Sequence, residues 1–173
     1  NAPPTMVVDM LTRGEAVTPA LALVTCITGG GAAMPGPVAD RLKRQYGLEY
    51  IEAYGLSETM SPTHLNPVEA LGRGTSGIPA QKTVAVIVDP DTLEPLPNGE
   101  VGEIAVAGPQ VMIGYWNRPD ADAEAFFQRD GHRFFRTGDL GLRRPDGYYS
   151  IVDRLKRMIN ASGFKVWPTE VEN

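Results

Sequence analysis

The stretch of sequence that decides the fold covers residues 21–54 and consists of LALVTCITGGGAAMPGPVADRLKRQYGLEYIEAY. Its beginning, 21–28, is an apolar run typical of a buried parallel strand. Apolar residues then recur every four positions among basic ones, which predicts an amphipathic helix that begins near Pro35 and ends at Gly47. Residues 49–54 predict a second strand. A strand–helix–strand unit of this kind indicates a parallel sheet and the α/β class.

The chain as a whole divides into three predicted parts, the first of which contains this unit. Residues 1–71 form the α/β part, which also contains an amphipathic helix at 3–12. Residues 72–152 form a β-rich unit of short strands and tight turns, for which we predict a barrel-like arrangement. Residues 153–173 begin with a polar link and start a further domain. The predicted elements of the β-rich unit are strands at 84–88, 101–107, 133–136 and 147–152, a helix from Pro119 to about Phe127, and turns at Asn98-Gly99, Asp130-Gly131 and Asp146-Gly147.

The composition limits the classes of protein that are possible. The chain has 173 residues, of which 42% are apolar, and a formal net charge of −5. The acidic balance argues against binding to nucleic acids or to anionic membranes. The single cysteine, Cys26, cannot form an internal disulfide, and no apolar run approaches the roughly 20 residues of a membrane span. We therefore expect a cytoplasmic protein without a transmembrane segment.

Both ends of the chain indicate that it has been cut from a longer protein. It begins at Asn1 without an initiator methionine, and it stops at Asn173, shortly after Pro168 opens a predicted helix. We therefore expect the remainder of its own polypeptide to be one of its partners.

Three glycines, Gly29 to Gly31, lie between the first predicted strand and the helix. A glycine loop at this place lets the backbone approach a ligand closely, and the helix N-terminus attracts anions. The loop is not followed by the Gly-Lys-Ser/Thr of a P-loop, and it does not have the spacing of a dinucleotide fingerprint. By itself, a plain tight turn is the simpler interpretation.

Two further motifs follow predicted strands. The first lies where open parallel sheets bind ligands. In it, Tyr54 offers a flat face for a purine, Ser57 a hydroxyl, and Glu58 a carboxylate suited to Mg²⁺. The second motif, Thr137-Gly138-Asp139, ends a predicted strand, and its carboxylate can accept hydrogen bonds from both hydroxyls of a ribose. An ordinary loop and a turn-stabilising aspartate are the structural alternatives.

The remaining polar residues have structural interpretations. Residues 153–157 form a charge cluster, which is either a solvated face or a hinge with a cation near phosphate. His64 and His132 have no metal-ligand partners nearby in the sequence, so we predict surface or loop positions for both. Cys26 lies in an apolar run and is predicted to pack in the core.

Five motifs follow one another along the chain: GGGAAMP at 29–35, YGLSET at 54–59, GEIAVAGPQVMIGYW at 102–116, FRTGDLG at 135–141 and DRLKRMINASGFKVWPTEVE at 153–172. In this order they resemble the motifs of the adenylate-forming enzymes, a family that includes acyl-CoA synthetases, luciferases and the adenylation domains of peptide synthetases. The resemblance covers the chain after residue 25. The last motif looks most like that of fatty-acyl-CoA synthetases.

The resemblance implies a role for each matching residue. For the nucleoside, the implied roles are adenine contact and lining of the acyl site for Gly30, Gly31 and Ala32, stacking on adenine for Tyr54, and ribose binding for Asp139. For the phosphates, they are contact with the α-phosphate for Ser57, Mg²⁺ binding for Glu58, and approach to ribose and phosphate for Arg154. For the second half-reaction, they are the hinge of the C-terminal domain for Asp153 and a place beside the pantetheine path for Ser162-Gly163-Phe164. Ser57 stands where the family usually has threonine, and it retains the hydroxyl. Ser57 and Glu58 are thereby implied to serve catalysis, and the other residues binding or rotation.

The resemblance also implies part of the N-terminal domain of an acyl-CoA synthetase. Such an enzyme uses ATP, Mg²⁺ and CoA to convert a carboxylic acid first to acyl-AMP and then to a thioester. The family's phosphate-wrapping loop and catalytic lysine would lie before residue 1 and after residue 173, so we expect the chain alone to be inactive. The sequence favours a fatty acid as the substrate. An aryl- or amino-acid-adenylating enzyme and a non-catalytic AMP-binding module are the alternatives.

Overall fold

The computed structural model describes residues 2–14, 18–155, 159–161 and 164–166. The helices of this part are α1 (Pro4–Arg13), α2 (Thr18–Leu21), α3 (Gly36–Tyr46) and α4 (Pro119–Ala125). Its strands are β1 (Ile27–Gly29), β2 (Tyr50–Tyr54), β3 (His64–Leu65), β4 (Ile78–Pro79), β5 (Val84–Val88), β6 (Gly102–Ala107), β7 (Phe126–Arg129), β8 (His132–Arg143), β9 (Tyr149–Arg154), β10 (Ile159–Ala161) and β11 (Phe164–Val166).

The first sheet contains the predicted strand–helix–strand unit. Its order is β1-β2-β3-β4, in which β1 and β2 are parallel and the other pairs are antiparallel. Helix α3 connects β1 to β2 and ends at Gly47, which adopts φ 70° and donates its N–H to the carbonyl of Lys43. Helix α1 packs beside α3, and both contribute to an apolar core with Ile27 and Tyr50. The α/β part is therefore confirmed.

The first predicted strand is much shorter than expected. Of the predicted strand at 21–28, only the residues in β1 pair with β2, whereas α2 ends at Leu21 and the N–H of Val24 closes a turn on the carbonyl of Leu21. Leu23 is exposed, so the apolar run at 21–28 is not a continuous buried segment. Apolar composition alone does not distinguish a strand from a turn at the edge of a core. Cys26 is half-buried just before β1 rather than inside a strand.

The second sheet confirms the β-rich unit but not its closure. Its order is β5-β6-β8-β7, with β9 also paired to β8, and every pair is antiparallel. Among the described residues β5 and β7 do not pair, so the sheet is open and no barrel is formed. Helix α4 ends earlier than predicted because Phe126 and Phe127 begin β7, where their rings pack on Phe135 and Phe134 of β8.

Strand β8 continues through the Thr137-Gly138-Asp139 motif instead of ending before it. Strands β7 and β9 pair with its first and second halves, and β6 runs along the opposite edge. Between Glu103 and Ala105, β6 has a single residue, whereas the facing part of β8 has the three residues of the motif. The additional residues form a bulge, in which Gly138 adopts φ 70°. The predicted strand end is therefore wrong, and the bulge is the feature that carries Asp139.

Tyr149 of β9 joins the two sheets. The N–H of Ser76 donates to its carbonyl, and its own N–H donates to the carbonyl of Gly77, both at 2.8 Å.

The first sheet extends to β4, so the division predicted at residue 71 falls within that sheet, and the division predicted at residue 153 falls within β9. Strands β10 and β11 form a separate antiparallel pair. In the described part of the chain, the helices are all too short or too polar to cross a membrane.

Candidate functional site

A cavity of about 630 Å³ opens beyond the end of β2 and is closed on its other side by β8 and β9. This volume is typical of small-molecule sites. The loop after β1 and the segment before β4 complete its wall. The lining residues are Gly31, Ala32, Ala33, Glu52, Ala53, Tyr54, Gly55, Gly74, Thr75, Ser76, Asp139, Ile151, Val152, Asp153 and Arg154.

The cavity brings together residues from four of the predicted motifs. The predicted residues in its wall are Gly31, Ala32, Tyr54, Asp139, Asp153 and Arg154. Gly30 lies beside the wall, and a Cβ atom there would be 2.4 Å from the carbonyl oxygen of Ala53, so only glycine fits. Ser57 and Glu58 follow Gly55 in a separate 3-10 turn outside the wall. Gly163 lies outside the described residues.

Asp139 is the central polar group of the cavity and is only 4% exposed. Its Oδ2 accepts a hydrogen bond from the hydroxyl of Tyr54 at 2.8 Å, and its Oδ1 lies 3.0 Å from Nε of Arg154. A carboxylate has about four lone-pair sites, of which these contacts use two. With respect to the described residues, Asp139 therefore retains the capacity to accept two more hydrogen bonds, which is the number that a ribose diol donates.

The bulge that carries Asp139 is held by Glu103, whose side chain is only 2% exposed. Glu103 Oε1 accepts the N–H of Gly138 at 3.0 Å, and Oε2 accepts Nε and Nη2 of Arg136 at 2.9 and 2.6 Å. The hydroxyl of Thr137 also donates to the carbonyl of Ile104 at 2.7 Å. The bulge is thereby tied to β6 at Thr137 and Gly138, the two residues that precede Asp139.

Tyr54 lines the cavity and donates its hydroxyl to Asp139. The residue is only 8% exposed, and its ring packs against that of His64, with 5.6 Å between the centroids. Burial raises the pKa of Tyr54, and the charge of Asp139 raises it further, so the hydroxyl stays protonated as a donor. Little of the ring is therefore available for a purine in this conformation, and stacking on adenine stays a prediction.

Arg154 and Asp153 differ in their surroundings at the end of β9. The side chain of Arg154 is 68% exposed, and its guanidinium pairs with Asp139 rather than with Asp153. Asp153 is buried, lies opposite Leu140 in the ladder, and accepts the N–H of Arg154 at 2.7 Å. Arg157, the other possible partner of Asp153, lies outside the described residues. In the described part of the charge cluster, Asp153 is therefore not on a solvated face.

Glu58 is held in the 3-10 turn from two sides. Its carbonyl accepts the N–H of Met112 at 2.7 Å, and its Oε1 accepts the hydroxyl of Tyr115 at 3.0 Å. Within the part of the chain that the structure describes, no group donates to Oε2, and no cluster of three or more His, Cys, Asp or Glu residues is suited to a metal. Proteins often bind Mg²⁺ through a single carboxylate together with substrate phosphates and water. The surroundings of Glu58 fit that kind of site.

His64 is a core residue, which corrects the predicted surface or loop position. It is fully buried in β3 between the rings of Tyr54 and Tyr149. Its Nδ1 lies 3.0 Å from Oγ1 of Thr63, and its Nε2 has no hydrogen-bond partner among the described residues. Burial lowers the pKa of His64 to about 4, so the ring is neutral at pH 7. His132 is exposed at the start of β8, which confirms its predicted position.

The neutral state of His64 predicts a pH dependence of stability. Below about pH 6.5 the unfolded chain protonates this histidine, whereas the folded chain does not do so until about pH 4. Stability is therefore lost as the pH falls from 6.5 to 4, by at most about 1.4 kcal/mol per pH unit. We expect His64→Gln to reduce this loss, measured by urea unfolding at pH 7, 6, 5 and 4. Parallel curves for the two proteins would contradict the neutral buried state.

Several residues of the site were missed at the level of sequence. Thr75 and Ser76 line the cavity from the segment before β4, and Ile151 and Val152 do so from β9. Ordinary loops and strands contain the same residue types, so the sequence held no signal for these four. Glu103 did have a signal, because a charged residue in an otherwise apolar strand is seldom fully buried without a partner.

Comparison with known proteins identifies the family of the chain. Residues 1–116 match the family described as AMP-binding enzyme. Over 146 residues the chain is 43% identical to the long-chain-fatty-acid–CoA ligase of Salmonella typhimurium, and the aligned region covers 84% of this chain and 25% of that protein. Over 150 residues it is 41% identical to the feruloyl-CoA synthase of an Amycolatopsis species, and the aligned region covers 83% of this chain and 28% of that protein.

The fold is similar to that of the O-succinylbenzoate coenzyme A synthetase from Bacillus subtilis. Its unliganded form has a TM-score of 0.81 at 30% identity and covers 99% of this chain and 36% of that chain. The same enzyme has been solved with AMP, with a TM-score of 0.79, and with ATP and a magnesium ion, with a TM-score of 0.77. The chain thus spans between 25% and 36% of the length of these proteins. It belongs to the AMP-binding enzyme family, the adenylate-forming enzymes whose motifs it carries.

Proposed function

We propose that the chain is the nucleotide-binding part of a longer ATP-dependent acyl-CoA synthetase, called the parent enzyme below. The observation that carries this proposal is Asp139, a buried carboxylate in the cavity wall whose two contacts with the described residues, Tyr54 and Arg154, use about half of its hydrogen-bonding capacity. In the parent enzyme, a carboxylic acid attacks the α-phosphorus of ATP and gives acyl-AMP and pyrophosphate. The thiol of CoA then displaces AMP and gives the thioester.

The residues at and near the cavity, together with Gly163, divide this work between binding and charge. Asp139 fixes the nucleoside, and the exposed guanidinium of Arg154 next to it places positive charge towards the phosphates. Ser57 donates its hydroxyl to the α-phosphate, and Glu58 would hold Mg²⁺, which when bound would supply positive charge to offset that of the reacting anions. Gly30, Gly31 and Ala32 contact the adenine, and the role proposed for Gly163, which is outside the described residues, is contact with CoA. Both half-reactions then depend mainly on positioning.

A fatty acid is the substrate that we propose. The support is the 43% identity to the Salmonella ligase, whose name gives a long-chain fatty acid as its substrate. An aryl acid is the second candidate, because the feruloyl-CoA synthase is 41% identical. We also propose a reducing, cytoplasmic location, because the one cysteine of this chain cannot form a disulfide within it.

The test is product analysis of the parent enzyme with ATP, Mg²⁺, CoA and a panel of fatty, aryl and amino acids. We expect pyrophosphate exchange and thioester formation that are fastest with fatty acids. Preference for aryl acids would move the assignment to the second candidate, and nucleotide binding without exchange would indicate a non-catalytic AMP-binding module. The 173-residue chain alone is expected to form no thioester above a blank.

Asp153 is proposed as the hinge about which the C-terminal domain rotates between the two half-reactions. Proline at this position fixes φ near −65°, so Asp153→Pro is expected to spare one half-reaction and to slow the other. Pyrophosphate release and thioester formation from pre-made acyl-AMP measure the two steps separately. Asp153→Ala serves as the control, since it removes the carboxylate and leaves φ free. Equal loss of both steps in the proline variant, with a lowered melting temperature, would instead indicate misfolding of β9.

A further inference from the structure

We propose that Tyr115 is a positioning residue for Glu58, which it holds so that one carboxylate oxygen is directed to a divalent cation. The inference rests on the proposed function, because that function assigns Mg²⁺ to Glu58. Tyr115 and Glu58 are 57 positions apart in the sequence, and the hydroxyl of the tyrosine donates to Oε1 at 3.0 Å.

The contact belongs to a larger connection between two segments. The N–H of Met112 donates to the carbonyl of Glu58 at 2.7 Å, so the loop at 111–115 binds both the backbone and the side chain of the same residue. Backbone pairing fixes where Glu58 lies, and the tyrosine fixes which way its carboxylate points. A chance surface contact would not need both.

The loop itself is anchored to helix α4. The N–H of Tyr115 donates to Oδ1 of Asp122 at 2.8 Å, and the N–H of Asp122 donates to the carbonyl of Arg118 at the start of the helix. A Cβ atom at Gly114 would lie 2.4 Å from Oδ2 of Asp122, so the loop approaches this carboxylate as closely as glycine allows. Tyr115 is therefore presented to Glu58 from a fixed backbone rather than from a free loop.

The chemistry of the pair explains what this positioning achieves. One hydrogen bond occupies Oε1, and among the described residues nothing donates to Oε2, which is left for a cation. A carboxylate that binds a metal is held in its productive orientation by such outer contacts, and their loss costs about 10–100-fold in metal affinity or activity. In this chain, the hydroxyl of Tyr115 is such an outer contact of the Glu58 carboxylate.

The test measures cation binding directly and does not depend on turnover. Mn²⁺ is titrated into the parent enzyme with a non-hydrolysable ATP analogue, and free Mn²⁺ is followed by electron paramagnetic resonance. Tyr115→Phe is expected to weaken Mn²⁺ binding on the order of tenfold. Tyr148→Phe is the matched control, because its hydroxyl donates to the carbonyl of Ala70, away from this site. It is expected to leave Mn²⁺ affinity unchanged.

A double-mutant cycle with Glu58→Gln separates positioning from a general loss of structure. If Tyr115 acts through Glu58, Tyr115→Phe has no further effect once the carboxylate is gone. The inference would be overturned, and the proposed function left intact, if the losses of Mn²⁺ affinity in the two single variants simply added in the double variant. An unchanged Mn²⁺ affinity in Tyr115→Phe would have the same consequence. An unchanged affinity in Glu58→Gln itself would overturn the metal role of Glu58, and the inference with it. Melting temperatures close to that of the wild type show that the variants are folded.

Discussion

Glu103→Gln is expected to lower the free energy of unfolding by about 3–5 kcal/mol, which is a large part of the stability of an ordinary domain. The glutamate is buried in β6 and carries the bulge of β8 through bonds to Arg136 and to the N–H of Gly138. An uncharged side chain leaves the guanidinium of Arg136 without its counter-ion in a mostly buried position. Urea unfolding of the chain, followed by circular dichroism, measures the change.

The chain offers a matched control for this substitution. Glu94 forms a similar pair with Arg129 at 2.6 Å, but its side chain is 70% exposed. Glu94→Gln is therefore expected to change the free energy of unfolding by no more than about 1 kcal/mol, as is usual for exposed ion pairs. If both substitutions cost the same, burial does not determine the strength of the Glu103 pair and the account of the bulge is wrong.

Local features of the fold could be predicted because they have local causes. The amphipathic period of α3 and its closing Gly47 are both visible in the sequence, and so are the parallel strands on either side of it. The turn between β7 and β8 is another case: Asp130 and Gly131 both have positive φ, as an Asp-Gly pair predicts. The buried strand predicted from the apolar run at 21–28 was wrong, because the exposure of these residues depends on which of them the rest of the chain covers.

Features that depend on distant pairing could not be predicted. The length of β8 is set by three neighbouring strands, and its bulge by Glu103, which is 36 positions away from Asp139. His64 is buried because β3 pairs with β2 and Tyr149 covers its ring. No property of the segment around His64 in the sequence indicates either contact.

The candidate site shows the same division. The motif resemblance selected Tyr54 and Asp139, which are 85 positions apart, and the structure joins them by a hydrogen bond. It did not indicate that the ring of Tyr54 is mostly covered, or that Arg154 already pairs with Asp139. Motifs name the residues, whereas the existing contacts of those residues set how much capacity remains for a ligand.

That remaining capacity leads to the largest expected effect on binding. Asp139→Ala is expected to raise the Kd for ATP of the parent enzyme by about 10²–10⁴-fold. The substitution removes two hydrogen bonds from ribose hydroxyls to a charged acceptor, each worth roughly 1.5–3 kcal/mol. Isothermal titration calorimetry measures the affinity, and thermal melting of the same samples reports whether the protein is folded.

The interpretation requires that the loss comes from the ribose and not from the partners of Asp139 in the free protein. Tyr54→Phe removes the hydroxyl that donates to Oδ2 and keeps the carboxylate, so it is expected to weaken ATP much less than Asp139→Ala does. Asp146→Ala controls for loss of an exposed aspartate, since Asp146 pairs with Arg144 and accepts the N–H of Tyr148 at the surface and does not line the cavity. If Tyr54→Phe weakens ATP as strongly as Asp139→Ala, the carboxylate acts by holding Tyr54 in place. An unchanged affinity in Asp139→Ala would remove the ribose role and, with it, the observation on which the proposed function rests.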